Sequence, residues 1–200
     1  MALIDILSLI SMSGVLLLLS MYLYYVIKGN ITPNAATWAI WGSVNVVNSV
    51  TYFKVVDGDL SRWAATGAAC LGSLLILGYA AFNKRFSKIG PTEWMILAIA
   101  GVIVYYWRTS GDDVMANLLL QAVYVLSFIP TVLGVLKGNK ENILPWYIAV
   151  VSYMIMTTNL VIHWQPEQQL VSLVHPILIG VMGNGSVAIA IRHMNKKHNN

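Results

Sequence analysis

The sequence predicts an all-α integral membrane protein with seven transmembrane helices, and three observations support this fold class. First, 58% of the 200 residues are hydrophobic and only 10% are charged, whereas a soluble domain carries about 25% charged residues. Second, the apolar residues form long runs, which suit helices in lipid and not the alternating strands of a membrane barrel. Third, the charged residues are distributed unequally between the connecting loops. A net charge of +4 arranged in this way does not indicate a nucleic-acid-binding protein.

Seven segments are long and apolar enough to cross a bilayer as helices, which takes roughly 20 residues each. The predicted spans cover residues 3–27, 35–53, 63–82, 94–107, 114–136, 144–162 and 170–191. The fourth segment is the shortest of them and carries the weakest signal.

The loops on the two sides of the predicted membrane differ in charge. One face carries nine basic residues, namely Lys28, Lys84, Arg85, Lys88, Lys137, Lys140, Arg192, Lys196 and Lys197. The face with the N-terminus carries three, Lys54, Arg62 and Arg108, together with six of the eight acidic residues, Glu167 among them. Because cytoplasmic loops are enriched in Lys and Arg, we expect the N-terminus outside and the C-terminus in the cytoplasm, in the plasma (inner) membrane.

A short motif occurs in equivalent places of the two halves of the chain. Residues 26–30 read Val-Ile-Lys-Gly-Asn, residues 135–139 read Val-Leu-Lys-Gly-Asn, and a tryptophan follows each, Trp38 and Trp146. Two three-helix units of the same orientation need one linking helix, because three spans are an odd number. The predicted arrangement is therefore 3+1+3. It has a first bundle in residues 1–85, linker helix 4 in 86–110, a second parallel bundle in 111–193 and a cytoplasmic tail in 194–200.

Amide and aromatic residues form a stripe on the second predicted helix. At about 100° per residue, positions i, i+3, i+7, i+10 and i+14 share one face. These positions are Trp38, Trp41, Asn45, Asn48 and Tyr52. Two interpretations are open: the amides join neighbouring helices by hydrogen bonds in lipid, or the stripe lines a central cavity.

Three further predicted helices carry similar residues at membrane depth, which favours the cavity. They are Asn117, Gln121, Tyr124 and Phe128 in the fifth helix, Trp146, Tyr153, Thr157, Asn159 and Trp164 in the sixth, and Asn184 in the seventh. Amides mixed with aromatic rings are typical of a pocket that hydrogen-bonds hydroxyl or amide groups and stacks on a ring.

Charged residues are missing from the interior of the predicted spans, apart from Asp5 in the first turn. A carrier coupled to protons or sodium usually has an intramembrane carboxylate, so the sequence favours passive transport of a neutral or weakly charged solute. His175 and Pro176 stand out in the seventh span, because proline bends a helix. His175 is either a packing residue or a gating or substrate-binding residue.

Several other functional classes find little support in the sequence. His, Cys and carboxylate residues show no metal-ligand spacing, and the seventh span has no lysine that could bind retinal. Ser, His and Asp residues do not assemble a recognisable catalytic set. We therefore expect no metal, no cofactor and no enzymatic activity.

The stripe on the second helix resembles a helix of the PnuC vitamin transporters. That helix has spaced tryptophans, an amide or acid, a serine and a tyrosine, which correspond to Trp38, Trp41, Asn45, Ser49 and Tyr52. The PnuC proteins share a seven-helix fold with the SWEET sugar facilitators and the PQ-loop proteins.

A second stretch resembles the PQ-loop motif. Residues 128–130 read Phe-Ile-Pro and are followed by Lys137, but Thr131 stands where the motif has its glutamine. The resemblance to this superfamily implies a 3+1+3 fold and transport of a small polar solute, either a vitamin precursor such as nicotinamide riboside or a sugar. By analogy, the substrate-binding candidates are Trp41, Asn45, Asn48, Gln121, Tyr124, Tyr153, Asn159 and Asn184, with His175 and Pro176 as gating candidates.

Two alternatives to a transporter remain open at this point. A receptor or sorting protein on the same fold would bind a ligand without moving it, and basic residues such as Lys84, Arg85 and Lys88 would then matter more than the stripe. A membrane protein with a purely structural or assembly role is the other alternative. The expected partners are a small-molecule solute and the lipid bilayer, and the sequence also allows a homo-oligomer.

Overall fold

The computed structural model describes residues 3–84, 91–164 and 170–199. Within these ranges the chain is almost entirely helical and contains no strand, which confirms the all-α class. Arg85, Lys88 and Glu167, which contribute to the predicted charge asymmetry, lie outside the described residues.

Seven helical segments account for the described residues. They are α1 (Leu3–Ile27), α2 (Ala35–Val55), α3 (Leu60–Phe82), α4 (Pro91–Ser110), α5 (Asp113–Leu136), α6 (Ile143–Ile162) and α7, which has three successive parts (Val171–Val174, His175–Gly183 and Asn184–Asn199). Each predicted span lies within one of these helices or ends within a residue of it. The helix α4 is longer than its predicted apolar segment, and α7 continues to Asn199, so most of the expected tail is helical.

Five of the helices are long and apolar enough to cross a membrane: α1, α3, α5, α6 and α7. The length and apolar composition of these five helices indicate an integral membrane protein. The apolar part of α4, Trp94–Ser110, is shorter. The helix α2 falls outside the group because Asn45, Asn48 and Thr51 lower its hydropathy, although all three side chains are buried among other helices.

The helices pack in a ring that does not follow chain order. Within residues 3–84, α3 lies between α1 and α2, and in the second half α7 lies between α5 and α6. The ring closes where α2 contacts α5 and where α1 contacts α6, while α4 packs outside it against α5 and α2. The centre of the ring is therefore faced by residues from both halves of the chain.

The two Lys-Gly-Asn motifs end their helices in the same way. Gly29 and Gly138 both have positive φ, 74° and 92°, which glycine adopts without a steric penalty. Beyond them, the Asn30 amide donates to the Tyr25 carbonyl and the Asn139 amide donates to the Gly134 carbonyl, both at 2.9 Å. One motif sequence thus produces one turn geometry at both sites.

These two turns lie side by side at one end of the ring. The backbone amide of Thr32 donates to the carbonyl of Lys140 over 3.2 Å, joining the α1–α2 loop to the α5–α6 loop. We call this the basic end, because Lys28, Lys137 and Lys140 belong to it. At the opposite end, Lys54 at the end of α2 pairs with Asp113 at the start of α5 at 2.9 Å.

Candidate functional site

A cavity of about 60 Å³ lies in the centre of the ring. Six of the predicted site residues line it: Trp41, Asn45, Tyr124, Tyr153, His175 and Asn184. They come from α2, α5, α6 and α7, and α1 and α3 complete the wall with Val15, Ala69 and Ser73 among others. This volume has room for only a few water molecules, so the cavity is occluded for a solute as large as a sugar.

The polar side chains of the α2 stripe are held in place by their neighbours. Asn45 donates from Nδ2 to the Ser73 hydroxyl at 2.8 Å and accepts a short hydrogen bond from the Tyr124 hydroxyl. The Trp41 indole donates to the Ser127 hydroxyl at 2.6 Å. Because buried amides and indoles are costly in an apolar medium unless they are paired, these bonds fix the orientation of the cavity wall.

A second polar layer lies behind this wall, between α2 and α5. Asn48 Oδ1 accepts from Asn117 Nδ2 at 3.0 Å and from Gln121 Nε2 at 2.9 Å. Both Asn48 and Gln121 are fully buried, but neither lines the cavity. The structure therefore places these two predicted residues in a supporting network and not at the cavity surface.

His175 connects that network to the cavity. Its Nδ1 lies 2.9 Å from Gln121 Oε1, and Gln121 uses its amide nitrogen to reach Asn48, so Oε1 accepts and the histidine Nδ1 carries the proton. His175 Nε2 is then a hydrogen-bond acceptor, and it is buried without a partner in the described part of the chain. Buried polar atoms normally have a partner, so this acceptor of a cavity-lining residue is a candidate contact for a bound molecule, whereas the other two unpaired atoms among the described residues, Asn48 Nδ2 and Thr66 Oγ1, belong to residues outside the cavity lining.

The π-helical part of α7 brings its backbone against the cavity. Asn184 donates from Nδ2 to the carbonyls of Ile179 and Gly180, both at 2.9 Å, and its backbone amide also donates to the Ile179 carbonyl. A Cβ atom at Gly180 would overlap the side chain of Tyr153, and one at Gly183 would overlap the ring of Phe128. π-Helical turns within α-helices often occur at functional sites.

Two predicted residues lie elsewhere. Asn159 donates to the Ser8 hydroxyl at 2.9 Å and contacts His163, so it joins α6 to α1 and does not line the cavity. Pro176 is buried in the first turn of the π-helical segment but is not part of the cavity lining. Asn159 thus fits the helix-joining interpretation of membrane amides.

Aromatic residues from three helices cover the cavity on the side of the basic end. The rings of Tyr22 and Trp38 have centroids 4.7 Å apart, and Tyr22 meets Trp146 edge-on at 6.0 Å. The Trp38 indole donates to the Tyr22 hydroxyl at 3.2 Å. Trp41 contacts both Trp38 and Trp146, so this aromatic cluster extends from the cavity wall towards the loops.

Sequence reasoning did not single out several residues of the site. Ser73 and Ser127 hold the stripe, but a lone serine in an apolar helix has no distinctive pattern. The hydroxyl of Tyr22 donates to Glu141 Oε1 at 3.0 Å across a separation of 119 residues. No local signal in the sequence could have connected these two residues.

The side chains that line the cavity are aliphatic, aromatic or uncharged polar groups. Charged side chains do not line the cavity, and the described residues contain no group of three or more His, Cys, Asp or Glu that could hold a metal ion. The cavity is thus lined by aromatic rings, the two amide side chains of Asn45 and Asn184 and the imidazole of His175.

Comparison with protein families, curated proteins and solved structures finds no match to this chain. The resemblance to the SWEET, PQ-loop and PnuC superfamily therefore remains a prediction from the sequence.

Proposed function

We propose that the protein is a seven-span membrane facilitator for a small, neutral or weakly charged polar solute. In this proposal α2 and α4 also cross the membrane, and the helices form two parallel bundles, α1–α3 and α5–α7, linked by α4. The matching positions of α3 and α7 within their halves support this arrangement, as do the two equivalent Lys-Gly-Asn turns. The basic end faces the cytoplasm, in keeping with the positive-inside rule.

The observation that carries the proposal is the central cavity, where a buried imidazole keeps a free acceptor beside aromatic rings and amides. A solute there would donate an N–H or O–H group to His175 Nε2 and stack on Trp41 or Tyr153. Both a sugar and a vitamin precursor such as nicotinamide riboside have such groups. The lining residues of the cavity carry no charge, which favours a neutral solute such as a sugar, because a cation such as nicotinamide riboside, with its pyridinium ring, would lose hydration there and would rely on the aromatic rings alone.

The small volume of the cavity implies that transport needs the two bundles to separate. The largest contacts between them are the α1–α6 and α2–α5 interfaces, and the second of these includes the hydrogen bonds of Asn48 with Asn117 and Gln121. Loosening one end at a time gives alternating access around the cavity. The absence of an intramembrane carboxylate from the cavity favours passive movement down a gradient.

The proposal is tested by comparing two amide variants that differ in position. Asn45→Ala changes the cavity wall, whereas Asn159→Ala changes the contact of α6 with α1. We expect Asn45→Ala to reduce the uptake of labelled solute into proteoliposomes by at least about tenfold, an effect of about 1.4 kcal/mol or more, and Asn159→Ala to keep most of it. Size-exclusion profiles confirm that both variants are folded. Equal uptake by the two variants would contradict the assignment of the cavity.

A receptor or sorting protein is the second candidate function. The closed cavity favours it because such a protein would bind a ligand without opening a path across the membrane. Saturable binding of a solute to the purified protein, without uptake into proteoliposomes, would select that function over transport.

A further inference from the structure

The acidic residue Glu141 occupies an unusual position in the α5–α6 loop, at the basic end. Its two carboxylate oxygens accept hydrogen bonds from different halves of the chain: Oε1 from the Tyr22 hydroxyl of α1 at 3.0 Å, and Oε2 from the Trp146 indole of α6 at 3.2 Å. Tyr22 in turn accepts from Trp38 of α2. One carboxyl group therefore joins the aromatic cluster to the loop that closes this end.

The surroundings of Glu141 contain little that would compensate a negative charge. Among the described residues, no lysine or arginine forms an ion pair with it, although Lys140 is its neighbour in the chain. The titratable group that faces it is the Tyr22 hydroxyl, and from α7 the nearby side chains are Met194 and Asn195. Burial is the largest influence and raises the pKa of Glu141 from 4.5 to about 7, against the opposing effect of its hydrogen bonds.

Protons can reach this carboxyl group from water. An open cleft of about 260 Å³ lies beside it, lined by the α5–α6 loop and the last part of α7, with Asn139, Lys140 and Asn195 as polar members. On its inner side the carboxyl group contacts Tyr22 and Trp146 of the aromatic cluster. This cluster lies between the cleft and the central cavity. Glu141 thus lies between the open cleft and the aromatic cluster that covers the central cavity.

We propose that Glu141 is a proton-binding site whose protonated form holds the basic end of the protein closed. A neutral carboxyl group keeps both contacts of the closed state: the carbonyl oxygen Oε1 accepts from the Tyr22 hydroxyl, and the protonated Oε2 still accepts from the Trp146 indole while its own O–H donates to water in the cleft. A charged carboxylate keeps both bonds but stays largely buried beside the cleft, and opening this end gives it more water.

The direction of the pH effect follows from this difference between the two states. The closed state binds the proton more tightly than an open state in which Glu141 is hydrated and returns to its ordinary pKa. Low pH therefore stabilises the closed state, and opening becomes easier as the pH rises through the neutral range. Between about pH 6 and about pH 8, the open-to-closed ratio is expected to increase about tenfold.

The first measurement uses no solute, so its outcome is independent of whether the protein is a transporter. Cys70, the single cysteine, is replaced by Ala, and Leu18→Cys is introduced because Leu18 lines both the central cavity and the space under the aromatic cluster. The rate of modification by a water-soluble thiol reagent is followed from about pH 6 to about pH 8. The same cysteine in a Glu141→Gln protein corrects for the pH dependence of thiol chemistry.

Glu141→Gln is the matched control because an amide has the size and shape of the protonated acid and does not titrate. We expect the ratio of the wild-type rate to the Glu141→Gln rate to rise about tenfold across the range. Glu141→Ala, which removes both contacts, is expected to react faster than Glu141→Gln at low pH. A ratio that stays constant with pH would overturn the proposal.

A second measurement detects the proton itself. Infrared difference spectra between acidic and neutral pH are expected to lose a protonated carboxyl band in the wild type, and the Glu141→Gln protein should lack this band. A spectrum in which Glu141→Gln leaves the titrating band unchanged would show that the carboxylate is already charged, and would also overturn the proposal. If the protein is a facilitator as proposed above, solute uptake through the basic end will follow the same pH profile.

Discussion

Two glycines of α7 differ sharply in what a methyl group would meet, and this difference gives a prediction of measurable size. A Cβ atom at Gly180 would overlap Cβ and Cγ of Tyr153, atoms that cannot move aside unless α6 and α7 move apart. At Gly185 the nearest atom is Val150 Cγ2 at 3.9 Å, an ordinary contact distance. Gly180→Ala and Gly185→Ala therefore form a matched pair on one helix.

The magnitude follows from the overlap. Inserting a methyl group into a well-packed position costs about 1–3 kcal/mol. Both variants share the gain of about 0.4–1 kcal/mol that comes from restricting the unfolded chain. Their difference isolates the overlap, so we expect Gly180→Ala to have a free energy of unfolding about 1–3 kcal/mol below that of Gly185→Ala.

The assay is equilibrium unfolding in mixed detergent micelles, with helical circular dichroism as the signal and equal lipid content in both samples. Because Tyr153 lines the cavity, Gly180→Ala is also expected to lower solute uptake or binding, while Gly185→Ala should behave as the wild type does. Two variants of equal stability would refute the close approach of α7 to Tyr153 on which the shape of the cavity depends.

Two further predictions concern the polar contacts between the halves. Asn48→Ala removes the acceptor that Asn117 and Gln121 share. Because both donors keep other acceptors, we expect the free energy of unfolding to fall by only about 1–2 kcal/mol in the same assay. An unchanged free energy of unfolding would contradict the network. Lys54→Met breaks the ion pair with Asp113, which is largely exposed on the lysine side, and the free energy of unfolding should change by less than about 1 kcal/mol at moderate salt. A larger change would mean that this pair closes its end of the ring.

The helices could be predicted from the sequence because lipid requires long apolar runs with internally satisfied backbones. The start and end of α1 agree with the predicted span, the spans of α2 to α6 differ by three residues or fewer at either end, and α7 continues eight residues beyond its predicted end. The π-helical part of α7 was not predicted. It depends on the Asn184 side chain bonding to Ile179 and Gly180, and on ring contacts from other helices, which a local pattern does not contain.

The candidate site was predicted only in part, for a geometric reason. Helical periodicity identified the inward face of α2, but it cannot tell which residues of that face reach an open space. Asn45 reaches the cavity, whereas Asn48, one turn further on, meets α5 first. Asn159 belongs to another interface altogether. The distances between helices decide these outcomes, and they depend on the packing of the whole ring.

The order of the helices in the ring lies beyond local sequence signals for the same reason. The repeat of Lys-Gly-Asn indicated two related halves, but it did not reveal that α3 and α7 lie between their neighbours. Glu141 was not singled out from the sequence, although this residue accepts hydrogen bonds from Tyr22 and Trp146. Its partner Tyr22 is in the first helix, and only the closed ring brings the two together.

The most direct test of the central claim is the uptake of labelled nicotinamide riboside and labelled glucose into proteoliposomes, each compared with protein-free vesicles. A facilitator should give saturable uptake of one solute that stops when the inside and outside concentrations are equal. Collapse of proton and sodium gradients should leave this final level unchanged. Accumulation above the external concentration would contradict passive transport, and the absence of uptake of either solute by folded protein would contradict transport of these two solute classes.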